Sequence, residues 1–405
     1  MIATKSHITV SLGYFLMAAL LGVLLRTFVV LPIIPLNYRF IVHTHSHIAL
    51  LGWVYMALTT VLYHLFLSGQ EVGKKYKWIF WTTQLSLVGM LLSFPFQGYA
   101  LFSIAFSTLF LLASYWFAAF FMKNVSAHFK GTYAYKCIRI ALWFMIGSSI
   151  GPWAMGPIMT LMGPESIWYR LAIYFYLHFL YNGWMILALA GLFFHVLERW
   201  QIVVPQRKFN TFFQFTVGGI VLSVFLSLLW TKPMAIFYVL GGIGALLQII
   251  GFFILFGICF DNRSLLKKAL PIQRYGMLLL IASLLMVKIA LQFLSAFPYF
   301  ADLAATALDF TIGYLHWTFL GVITIGIFFF LDYFGLIKLT KQGFIIYLMG
   351  FLFTESFIFY KGLAAWQRWS LFDGYLKYLA FFSLLIPLAL LLILWDSKGK
   401  RIKRQ

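Results

Sequence analysis

Charge is scarce in this chain. Only 10% of its 405 residues are Asp, Glu, Lys or Arg, whereas 63% are hydrophobic. Most of such a chain cannot face water, so it reads as an integral membrane protein. Acidic residues are scarcer still, with 10 Asp and Glu against 30 Lys and Arg and a net charge of +20. The cations sit in short runs between apolar stretches, which argues against nucleic acid as a partner and for the basic loops of a lipid-embedded chain. Cysteine is nearly absent. Cys137 and Cys259 lie far apart and read as structural thiols without a disulfide framework. The first apolar segment lacks a small-residue cleavage site, so it is expected to stay as a span and not to be removed as a signal peptide.

The apolar stretches number twelve, at about 8–31, 44–67, 78–98, 100–122, 138–161, 168–195, 210–230, 234–259, 275–297, 304–331, 343–365 and 376–395. Each reaches the roughly 20 residues that cross about 30 Å of hydrocarbon as a helix. The expected fold is therefore all-α, with twelve transmembrane helices. Loops after even-numbered spans are basic, among them Lys74, Lys75 and Lys77, then Lys123, Lys130 and Lys136, then Arg263, Lys267 and Lys268. The tail 398–405 is basic too. This asymmetry predicts cytoplasmic termini in the cell membrane.

Three histidines open the second span in His43-Thr-His45-Ser-His47-Ile-Ala-Leu-Leu-Gly52-Trp53. His43 and His47, at i and i+4, share a face, and His45 points away from it. A fragment of this stretch recurs: His47 with Gly52-Trp53, His178 with Gly183-Trp184, and His316 with Gly321. The histidines are 131 and 138 residues apart, about a third of the chain each time. Seventeen residues after His47 and His178 come His64 and His195, while the third copy has Tyr333. The repeat predicts three pseudo-symmetric four-helix units, about 1–136, 137–270 and 271–397. In that arrangement His47, His178 and His316 lie at similar depth in the outer half of the membrane.

A lone transmembrane histidine is usually an ordinary hydrogen-bonding residue. Three in one repeated motif read as ligands, because neutral imidazole binds haem iron, copper and zinc. Haem suits the setting, being a large apolar plate whose axial positions take histidines from different helices. The glycine five residues on lets a macrocycle or a neighbouring helix come close. Arg26, Arg39, Arg170 and Lys232 lie at the end where propionates need cations. Glu355 and Lys288 sit mid-span and read as a buried ion pair or as part of a proton path.

The segment His45-x-His47-x-x-x-x-Gly52 resembles the haem-ligating helix of the haem–copper oxidase superfamily. It is nearest to the cbb3-type oxidase and nitric oxide reductase branch, and similar to the NnrS family of membrane haem–copper proteins. The resemblance implies twelve spans with threefold pseudo-symmetry, a haem of the b type and a role in electron transfer with a respiratory or other electron-donor partner. It implies His47 and His316 as axial ligands, His178 in the position of a copper ligand, and His45 as a further haem or metal ligand. The chain also departs from that pattern. Span 7 has no histidine, Tyr314-Leu-His316 stands where the oxidases have two histidines, and His178 is followed by Phe179-Leu180-Tyr181. A complete oxygen-reducing centre is therefore not expected, and a haem protein with redox, nitric oxide or oxygen chemistry is. The competing reading is a twelve-span transporter that moves protons or metal through its histidines. Against it, the repeat favours thirds over halves and spans 2, 6 and 10 lack internal proline.

Overall fold

The structure is a computed structural model that describes residues 4–28, 30 and 36–398. Among the described residues it holds helices and no strand. Among the described residues, twelve helices are long and apolar enough to cross a membrane: α1 Thr4–Thr27, α2 Tyr38–Phe66, α3 Gly73–Gln97, α4 Leu101–Asn124, α5 Tyr133–Leu161, α6 Ile167–Arg199, α7 Gln206–Thr231, α8 Ala235–Asp261, α9 Ile272–Leu294, α10 Leu308–Tyr333, α11 Lys341–Gln367 and α12 Tyr375–Ser397. Lipid offers the backbone no hydrogen-bond partner, so an apolar run this long closes its N–H and C=O groups on itself as helix. Large apolar side chains such as Trp78, Phe96 and Trp395 point outward and exposed, as lipid-facing residues do. The chain is a polytopic helical membrane protein.

Side chains fix several helix starts. Asn37 accepts from the backbone N–H of Arg39 at 2.9 Å and so begins α2 six residues before the expected 44. Thr132, Ser166 and Thr340 cap α5, α6 and α11 in the same way. Two helices are interrupted where a proline lacks the N–H its fourth-previous carbonyl needs. Pro152 follows the break at Ser149 in α5, and Pro387 follows the break at Leu384 in α12.

The chain gathers into two compact units. The first comprises Met1–Ser126, Ile327–Ala364 and Arg368–Gln405, and the second Ala127–Gly326 with Ala365–Gln367. The core of the first is aromatic. Phe15 stacks on Trp53 with ring centroids 4.8 Å apart, and Phe328 meets Tyr347 edge-on at 5.2 Å. The second packs α7 on α8 through small residues. A Cβ on Gly219 would meet the Gly244 carbonyl oxygen at 2.7 Å, so the two backbones touch.

The threefold motif reappears in the backbone. Directly after each histidine the helix widens into eight residues of π-helix: Ile48–Tyr55 after His47, Phe179–Ile186 after His178, and Trp317–Thr324 after His316. The motif glycine is the fifth residue of each segment. Such segments are rare and are often found at functional sites. In two copies the glycine receives a neighbouring helix. A Cβ on Gly52 would lie 2.8 Å from Tyr14 Cβ of α1, and one on Gly183 would lie 2.6 Å from Phe144 Cβ of α5. The neighbouring-helix alternative of the sequence reading thus holds at these two glycines, whose space is not left for a macrocycle.

Candidate functional site

Two polar sites lie inside the two units. The first is built on the opening turns of α2. His43 and His47 turn toward the end of α3. The His47 ring lies 4.5 Å from Phe94 and the His43 ring 4.7 Å from Tyr99, centroid to centroid. His45 turns instead to α1, where its Nδ1 is 2.8 Å from the carbonyl oxygen of Ala18 and its ring rests on Gly22. His47 Nδ1 is likewise 2.8 Å from a carbonyl oxygen, that of His43 one turn earlier. A carbonyl only accepts, so both Nδ1 atoms carry the proton and both Nε2 atoms keep a lone pair. This is the tautomer and second-sphere bond of a metal-ligating histidine. The Tyr99 hydroxyl approaches His47 Nε2 at a long 3.4 Å, a weak donation that a stronger Lewis acid would displace.

Of the four cations assigned to propionates, Arg26 and Arg39 occupy the same unit, and Arg170 and Lys232 the other. Arg39, exposed in the first turn of α2, is within electrostatic reach of His43. Arg26, near the end of α1, is the cation that acts on the buried carboxyl of Glu355 in α11. His64, on the other end of α2, meets the hydroxyl of Thr4 at 3.2 Å. His7 lies within α1 and stacks on Phe80 at 3.6 Å.

The second site belongs to the other unit and centres on Lys288, whose side chain is fully buried. Its Nζ donates to Asn182 Oδ1 of α6 and to Gln292 Oε1, one turn further along α9. The ammonium also sits 5.3 Å from the ring centre of Tyr181 and 5.8 Å from that of Tyr314, within cation–π range. Tyr314 donates its hydroxyl to Gln292 Oε1 at 3.3 Å. On the far side of Asn182, its Nδ2 donates to His178 Nδ1 at 3.3 Å, and His178 Nε2 donates to the Ile220 carbonyl of α7 at 2.8 Å. Lys288 is thus paired with two neutral amides.

These geometries separate the four histidines proposed as ligands. His45 and His47 present lone pairs and fit an imidazole-ligated haem. His178, like His47, has one ring nitrogen on a carbonyl and the other on a long side-chain contact, but it lies in the field of the Lys288 cation, which disfavours a second cation there. His316 is half-buried at the mouth of the third π segment, between Tyr314 and Trp317, whose Nε1 donates to the Leu284 carbonyl at 2.9 Å. Among the described residues, no group of three or more His, Cys, Asp or Glu is placed to hold a metal ion. Both cysteines are free thiols.

Sequence reasoning passed over Asn182, Gln292 and Tyr99. The signal for the first two was present. Each stands four residues after a titratable residue on an apolar helix, His178 and Lys288, and so shares its face. Tyr99 follows Gly98, in the turn between α3 and α4, and nothing in spacing points from there to α2. No family model matches the chain, and no curated protein matches it.

Proposed function

We propose that this protein binds haem in the cell membrane, with both termini cytoplasmic and with His47 Nε2 as an axial ligand. The observation that supports the reading is the pair of Nδ1–H bonds to backbone carbonyls at His45 and His47. They fix ring orientation and leave one lone pair on each imidazole, as ligation of iron requires. The π segment that follows supports it too, being an irregular backbone placed directly after the histidine, within the helix, in all three copies.

A bound haem supplies a redox-active iron that also takes diatomic gases. The chain's own residues have separate tasks. His47 binds, and its bond to the His43 carbonyl holds the ring. Phe94 and Tyr99 wall the imidazole from water. Arg39 supplies a cation for a propionate, and Arg26 a further one shared with Glu355. The Lys288 cation beside His178 argues for haem without a copper partner, and so for electron transfer or gas sensing over oxygen reduction.

The test is the absorption spectrum of the purified protein. A Soret band is expected that collapses in His47→Ala, persists in His178→Ala, and shifts in His45→Ala; His316→Ala reports the separate contribution of α10. Protein that purifies without haem from haem-replete cells and does not take up added haemin would overturn the reading and favour the transporter alternative.

A further inference from the structure

The Lys288 network has more donors than acceptors. Its amide oxygens and the His178 lone pair each already hold a donor. Asn182 Oδ1 takes Lys288, Gln292 Oε1 takes both Lys288 and Tyr314, and His178 Nδ1 takes Asn182. What remains are N–H groups. Gln292 Nε2 is buried without a hydrogen-bond partner in the protein, although Gln292 is only 5% exposed. A lysine ammonium has three N–H bonds, and its two partners here are both neutral amides. No carboxylate pairs with it in either of the ion pairs among the described residues, Lys208 with Asp261 and Lys232 with Asp302. An uncompensated charge and an orphaned amide donor are each costly in an apolar interior, and here they lie side by side. One species satisfies both. It must accept hydrogen bonds, carry a single negative charge and be small.

We propose that α6, α9 and α10 form a binding site for a compact monovalent inorganic anion, held between Lys288 Nζ and Gln292 Nε2. The rings of Tyr181 and Tyr314 lie beside the ammonium and restrict the site to a small ion. Gln292 stands two residues before the end of α9 at Leu294, about 3 Å along the axis at the usual rise, so the ion has only the last helical turn to pass. The site lies wholly in the second unit and does not depend on haem at His47.

The experiment uses full-length protein in detergent with chloride as the probe and gluconate as the replacement, at constant ionic strength. Equilibrium binding of radiolabelled chloride and the thermal unfolding midpoint are read in parallel. Wild type is expected to bind one chloride per chain saturably, with the midpoint rising as the site fills. Lys288→Met should abolish both responses. Gln292→Met, which keeps the cation and removes the amide donor, should weaken binding by about tenfold, the loss of one hydrogen bond to a charged group. Wild type that binds no chloride saturably, or a Lys288→Met protein that keeps the response, overturns the proposal. If Lys288→Met does not fold, wild-type binding and the Gln292→Met shift decide it, and an unshifted affinity in Gln292→Met also overturns it.

Discussion

Gly183→Ala is the sharpest probe of the π segments. Gly183 is the fifth residue of the second one, and an added Cβ would lie 2.6 Å from both Cβ and Cγ of Phe144. Carbon atoms settle at about 3.5 to 4.0 Å, so α5 or the segment must retreat by roughly 1 Å. Neither atom is the far end of a flexible side chain, since Phe144 Cβ moves only with its backbone. Overpacking of this kind costs about 1 to 3 kcal/mol. The control is Gly218→Ala in the interior of α7, where nothing lies within 4 Å of the new methyl. There the substitution removes only glycine's backbone freedom and should stabilise by about 0.5 to 1 kcal/mol. The two changes add the same atom to helices of one unit and are predicted to move stability in opposite directions. Thermal unfolding followed by tryptophan fluorescence in one detergent compares them. At about 2 to 4 °C per kcal/mol for a unit of this size, the midpoints should stand on the order of 5 °C apart or more. A Gly183→Ala protein as stable as Gly218→Ala would refute the close approach of α5 to the π segment.

Other outcomes follow from the two units and their surfaces. Asn182→Leu removes an acceptor from Lys288 and a donor from His178, and should cost about 3 kcal/mol in unfolding assays; adding Lys288→Met should recover part of that loss, and simple additivity would sink the network. Asp261→Asn breaks the 2.8 Å pair with Lys208, whose partners are both about half exposed, and should cost below about 1 kcal/mol. A cysteine in place of exposed Glu165 should react with a membrane-impermeant maleimide in intact cells and one in place of Gly131 should not; the reverse pattern would invert the proposed orientation.

Much of the fold was legible because hydropathy alone decides which segments leave water. All twelve spans were found this way, with errors confined to their ends. There a single side chain decides, as Asn37 does for α2. The π segments were not legible. Their sequences, such as Ile48–Tyr55, are as apolar as the flanking helix, and a change from i+4 to i+5 bonding leaves no mark on composition. The histidine tautomers were hidden for a different reason. The carbonyls beside His45 and His178 are set by packing, which brings Ala18 and Ile220 within reach, whereas that of His47 is one turn back on its own helix. Lys288 was visible as an anomaly. Its partners Asn182 and Gln292 went unmarked because they carry no charge.

The widened turns have one more implication. A stretch of i+5 bonding uses more residues per circuit than the helix around it, so side chains below it are rotated relative to those above. Deleting one residue from Phe179–Ile186 would turn everything beyond it by roughly 100° and swing the Phe194 side of α6 away from Phe209 and Phe212. The same phase offset stands at the same distance from a histidine in three places. A shared ancestral segment that already carried the offset before it was copied accounts for this with a single event, where independent insertions would require three.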